Sequence, residues 1–147
     1  MERLVEQYSS YLYATMRVVV GFLFACHGAQ KLFAVLGGIG GHGSAAPLFS
    51  LIWFAGVVEL AAGLLIMAGW FTRYVAFIAS GEMAFAYFLV HARKGFWPIL
   101  NGGELAVLYC FIFLFIAAHG ARICSLDALR EKSGFVSQIR RMRIGAF

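Results

Sequence analysis

Charge is what this chain has least of. Only 13% of its 147 residues are Asp, Glu, Lys or Arg, while 62% are hydrophobic and the mean hydropathy is +0.82. Soluble domains carry about 25% charged residues, so this chain cannot cover itself with a polar surface in water. That excludes an ordinary soluble domain and leaves an integral membrane protein. Proline is nearly missing, and its two copies, Pro47 and Pro98, fall between apolar runs. The three cysteines form no Cys-x-x-Cys pair. Cys26 and Cys110 sit in apolar runs, where cysteine behaves as a small hydrophobe, so a redox dithiol is not indicated. The glycines of residues 37–43 lead into "SAAPLFS" without a P-loop lysine, and no serine stands in a G-x-S-x-G setting. A signal-peptide pattern is missing as well. Met1 is followed by Glu2, Arg3 and Glu6 with no small-residue cleavage site, so the first apolar run is expected to be a retained helix.

What is present are apolar runs long enough to cross hydrocarbon, which takes about 20 residues. Four stretches qualify, at about 12–36, 48–69, 73–92 and 101–121, and predict an all-α polytopic bundle of four transmembrane helices in a single domain spanning 1–147. The connections are "GGIGGHGSAAP", the tight "GWFTR" and "HARKGFWPILNGG". After Gly120, Ser125 is placed to cap a short helix with Asp127 in its first turn, ahead of a basic tail over 122–147. The net charge of +5 comes largely from that tail: Arg122, Arg130, Lys132, Arg140, Arg141 and Arg143. Beside membrane spans such charge marks the cytoplasmic face and anionic lipid rather than nucleic acid. With both termini cytoplasmic, Arg3, Arg17, Arg73 and the tail lie inside and only Lys31, Arg93 and Lys94 outside, as the positive-inside rule requires.

The polar residues within these spans are then the informative ones. Glu59 and Glu82 fall near the middle of the second and third spans, where a charge costs about 2.5–3.5 kcal/mol even on the lenient insertion scale. His27 and Lys31 lie in the outer half of the first span, with His91 and Glu104 at the outer ends of the third and fourth. At 100° per residue, Arg17, Gly21, Phe24, His27, Gly28 and Lys31 share one arc of the first helix. Gly56, Glu59 and Gly63 share one side of the second. Stripes that are both polar and glycine-bearing should face the bundle interior. His91, nine positions after Glu82, points about 180° away from it on a regular helix. Either that helix end departs from regularity or His91 serves another surface.

Metal chemistry fits poorly. A carboxylate-bridged di-iron bundle needs Glu-x-x-His on two helices. Here Ala62, Phe85 and Val107 stand at that step after Glu59, Glu82 and Glu104, and no metal is assigned. Paired axial histidines for haem would join His27 or His91 to His119 across opposite depths. A quinone headgroup fits better, needing hydrogen-bond donors, a protonatable group and an apolar cleft. On this reading His27, Lys31, His91 and Glu104 are the candidate binding residues. Glu59 and Glu82 are the candidate proton or ligand groups, Arg17 is an ion-pair partner, and Phe24, Phe111 and Phe115 line the cleft. The plainer reading is that the intramembrane pairs only fix packing and register, with Arg17 the residue to which it applies best. His119 reads as interfacial, and His42 in the glycine loop carries little.

Several stretches in order also resemble the DoxX family. The first is "RVVVGFLFACHGAQKLF", with Arg17, Gly21, His27, Gly28 and Lys31. The second is "VELAAGLLIMAGWFTR", with Glu59, Gly63, Gly69, Thr72 and Arg73. The third and fourth are "AYFLVHARKGFWPILNGGELAVLY" and "GARICSLD", similar to the family's His-linker-Glu pattern and Ser-Leu-Asp ending. The resemblance covers about residues 15–127. It implies a small four-helix protein of the bacterial inner membrane. Some relatives are subunits linked to quinone in thiosulfate oxidation or terminal oxidase complexes, and others associate with redox-defence partners. The leading expectation is therefore a quinone-interacting, redox-associated membrane subunit with no intrinsic cofactor. If it is an enzyme, it is one as part of a membrane oxidoreductase, in contact with lipid and a redox partner protein and compatible with a homo-oligomer. The alternative is a non-catalytic membrane anchor or assembly partner whose polar core is structural.

Overall fold

Glycines seven residues apart on each of the first two helices decide how the bundle closes. In the computed structural model, which describes residues 2–133, α1 runs Glu2–Phe33 and α2 runs Leu51–Ala68 antiparallel to it. Gly21 faces Gly63 and Gly28 faces Gly56. A Cβ at Gly63 would lie 2.6 Å from the Gly21 carbonyl oxygen, and one at Gly28 equally close to that of Gly56. No side chain fits at either crossing, so the two backbones touch over two turns, as small-residue seams allow in membrane helices.

Local chemistry sets the ends of α2. The Ser50 hydroxyl accepts the Trp53 N–H at 3.2 Å as an N-cap. Gly69, at φ 70°, closes a Schellman motif in which its N–H reaches Ile66 O and that of Trp70 reaches Leu65 O. The tight turn leads directly into α3, Thr72–Ala86. That helix continues through a widened π-type turn at Tyr87–His91 and a 3-10 turn at Ala92–Lys94. A short α4 (Pro98–Asn101) precedes α5 (Glu104–His119), and a last helix, α6, covers residues 126–133. All regular structure among the described residues is helical. The tail residues Arg140, Arg141 and Arg143 lie outside them.

α1 packs chiefly on α2 and α3 chiefly on α5, while α2 and α3 join the two pairs. The core between them is narrow and aromatic. Phe24 of α1 meets Phe113 of α5 edge-on at 4.6 Å between ring centroids, and Tyr109 stacks on Phe113 at 5.4 Å. Ala106, Tyr109, Phe113 and Ile116 recur at helical spacing and form the buried stripe of α5. Phe111 and Phe115, expected to line an interior cleft, instead point outward and are 65% and 48% exposed. The outward faces of the other helices are equally apolar, with Phe22, Phe54, Phe77 and Phe88 all more than half exposed. A surface this greasy requires lipid or partner cover.

Among the described residues, three helices are long and apolar enough to cross a membrane: Gln7–Phe33, Leu51–Ala68 and Thr72–Lys94. The expected fourth span is shorter than its apolar run. Gly102 (φ 72°) and Gly103 separate α4 from α5, and Gly120 (φ 76°) ends α5 after 16 residues. At 1.5 Å per residue that is about 24 Å of helix, against about 30 Å of hydrocarbon.

Candidate functional site

The polar residues of the bundle separate into two groups towards opposite ends of the bundle. At one end Arg17, fully buried, donates to the carbonyl oxygens of Ile66 and Met67 (2.8 Å for the latter) and to Cys124 O at 2.7 Å. It therefore caps the C-terminus of α2, where unpaired carbonyls and the helix dipole favour a cation. Arg17 is not the ion-pair partner expected of it, since its acceptors are main-chain oxygens. Arg73 does the same for α5, donating to Ala118 O at 2.6 Å and Ala117 O at 3.2 Å. Asp127 accepts the N–H groups of Phe71 (2.9 Å) and Thr72 (3.0 Å), capping the start of α3. Burial pushes its carboxyl up, but these two N–H groups and Arg130 prevail and hold it below the usual carboxylate range. Ser125 caps α6 as expected, its hydroxyl accepting the Ala128 N–H at 3.2 Å.

Towards the other end, Lys31 in the last turn of α1 forms an ion pair with Glu59 of α2. The Gly28–Gly56 crossing makes this contact geometrically available, because Lys31 Cβ lies 3.0 Å from where a Cβ on Gly56 would stand. The ammonium side chain is 27% exposed and the Glu59 side chain 2% exposed, so the pair is open on one side and sealed on the other. Glu82 of α3 lies within electrostatic range of both Lys31 and Glu59. Tyr109 of α5 is within range of Glu59 and Cys26, and His27 within range of Lys31. The His27 and Tyr109 rings meet edge-to-face, 6.1 Å apart. Residues from all four long helices thus converge on one interior region. Two of its carboxylate oxygens, Glu59 Oε2 and Glu82 Oε2, are buried with no hydrogen-bond partner. Leaving a buried acceptor unmet costs about 1–3 kcal/mol.

His91 and Glu104 do not join this group. The π-type turn rotates His91 away from the regular helical register, and its Nδ1 lies 3.2 Å from Asn101 O while its ring stacks on Tyr87. Asn101 ties this connection together: its amide donates to Gly95 O at 2.7 Å and its side-chain oxygen accepts the Gly103 N–H at 2.8 Å. Glu104 is exposed in the first turn of α5, where a carboxylate complements the helix dipole. His119 is exposed, its Nδ1 2.9 Å from Phe115 O. Sequence reasoning missed Tyr109, whose signal was its place on the Ala106–Phe113–Ile116 stripe, and Asn101, signalled by the "NGG" turn. Among the described residues no three His, Cys, Asp or Glu side chains gather as a metal site.

Long apolar helices with outward-facing aromatics and a polar, glycine-seamed interior define a helical membrane protein. The DoxX family model matches residues 12–92, and the chain belongs to the DoxX family. That match holds Arg17, His27, Lys31, Glu59, Glu82 and His91 but ends before Glu104 and the Ser125–Asp127 segment. The chain is 44% identical over 127 residues to a Haemophilus influenzae protein named "Uncharacterized protein", covering 84% of this chain and 93% of the relative. It is 26% identical over 125 residues to "Putative oxidoreductase CatD" of Bacillus subtilis, covering 83% of this chain and 91% of that protein. No solved structure matches.

Proposed function

We propose that this protein is a redox-associated subunit of the bacterial inner membrane whose interior Lys31–Glu59–Glu82 group meets a quinone-type ligand. The observation that carries the reading is the pair of unpartnered buried oxygens, Glu59 Oε2 and Glu82 Oε2, beside a half-open lysine. A quinone needs a donor at its carbonyl, which the Lys31 ammonium supplies. Its reduced form carries hydroxyl donors that match the two orphaned acceptors. His27 and Tyr109 close the site with rings, and a bound quinone would supply two-electron, two-proton redox chemistry. The chain's own part is to hold and pass a proton between Glu59 and Glu82. Membership of the DoxX family and the name of the Bacillus subtilis relative support a redox setting. A partner protein would supply the electrons. In the same reading α5 crosses as a fourth, locally thinned span, and both termini face the cytoplasm with the basic tail.

The test is quinone affinity in the purified, folded protein, by fluorescence quenching with a short-chain ubiquinone and menaquinone analogue. Glu59→Gln and Glu82→Gln should keep the thermal unfolding transition and weaken binding about tenfold or more. Unchanged affinity in both variants would reject the site. Loss of accumulation or of a co-purifying subunit, with quinone affinity unaltered, would favour the anchor alternative.

A further inference from the structure

One wide groove of the molecule is not beside Lys31. It lies at the Arg17 end, about 1180 Å³ in volume, between the start of α3, the end of α5 and α6. Arg73, Arg122, Arg130 and Lys132 line it, with Asp127 and Glu131. Two of these charges are already engaged with main chain: Arg73 on the carbonyls of α5, and Asp127 on the N–H groups of α3. The groove is left with Arg122, Arg130 and Lys132 against Glu131, with Arg130 also within electrostatic range of Asp127. Aromatic rings steady two of the cations without neutralising them. The Arg122 guanidinium stands 5.6 Å from the centre of the Tyr13 ring, and that of Arg130 stands 5.7 Å from the centre of Phe71.

Its depth and its rim narrow the occupant. Ala68 and Thr72, which line the groove, are also the residues where one apolar membrane-length helix ends and the next begins. The groove therefore sits at headgroup level. Tyr74, Leu126 and Leu129 are exposed on its wall, with Tyr74 75% and Leu129 63% accessible, giving apolar surface beside the cations. Cations at the interface flanked by apolar side chains match a phosphodiester carrying acyl chains.

We propose that this groove binds the headgroup of an anionic phospholipid, with Arg122 and Arg130 as the phosphate donors. The site holds α6 against the bundle and is independent of the quinone reading. Native mass spectrometry of the full chain in detergent tests it, with phosphatidylglycerol, phosphatidylcholine and inorganic phosphate as probes. Phosphatidylglycerol should bind as a discrete adduct in preference to phosphatidylcholine. Arg122→Gln with Arg130→Gln should weaken it about fivefold for each charge removed, whereas Arg122→Lys with Arg130→Lys retains the preference. Arg93→Gln with Lys94→Gln removes equal charge from exposed positions in the α3–α4 connection and should leave binding unchanged. Equal loss in both Gln pairs, equal binding of the two lipids, or displacement of the lipid by millimolar phosphate would each overturn the assignment.

Discussion

Arg17 and Lys31 occupy the same face of α1, about four turns apart, and the fold uses them in opposite ways. Arg17 is sealed from solvent and its guanidinium joins α1, the end of α2 and the segment before α6 through main-chain oxygens. Lys31 meets a side chain instead, is partly open, and leaves carboxylate oxygens around it without partners. An arginine fork suits several carbonyls at fixed angles, whereas a lysine is a movable point charge. The first end of the bundle is therefore a clasp and the second a place where chemistry has room.

Removing the clasp should have the largest effect. Arg17→Ala strips charge-assisted bonds from three carbonyls, each worth about 1.5–3 kcal/mol, so the folded protein should accumulate poorly in membranes. Arg17→Lys should recover it only in part, measured by fluorescence-detected size exclusion. Lys31→Met leaves Glu59 as an uncompensated buried charge and should cost about 3–5 kcal/mol by unfolding in detergent. Adding Glu59→Gln to that variant should restore most of the loss, the signature of a pair rather than a scaffold. Next comes the seam: Gly28→Ala drives a Cβ into the α2 backbone and should cost about 1–3 kcal/mol. Gly81→Ala meets nothing within 4 Å and should be neutral or slightly stabilising.

The smallest expected loss is at Asp127. Its folded carboxyl titrates below its unfolded value, so its contribution is present above about pH 4 and disappears as pH falls through the lower folded value. Asp127→Asn should cost about 1 kcal/mol at neutral pH, as for a lost cap. It should also flatten the acid limb of the stability profile.

The two ends were not equally legible in the sequence. Helix positions, the Gly21–Gly28 and Gly56–Gly63 faces and the meeting of Lys31 with a mid-span glutamate follow from helical periodicity and the cost of charge in lipid. The partners of Arg17 do not, because main-chain carbonyls at a helix end carry no residue signature. The buried face of α5, which excludes Phe111 and Phe115, is not legible because that helix is apolar all round and its composition holds no contrast between inside and outside. For His91 periodicity leaves two outcomes open, an irregular helix end or another surface, and the widened turn with its Asn101 contact brings both.

The central claim is that the unpartnered oxygens of Glu59 and Glu82 receive a ligand. Infrared difference spectroscopy of the reconstituted protein, with and without a short-chain quinone, tests it most directly. A ligand-induced change in the carboxyl stretching region is expected, lost in Glu82→Gln and altered in Glu59→Gln. A difference spectrum without carboxyl bands, or with bands that survive both substitutions, would contradict it.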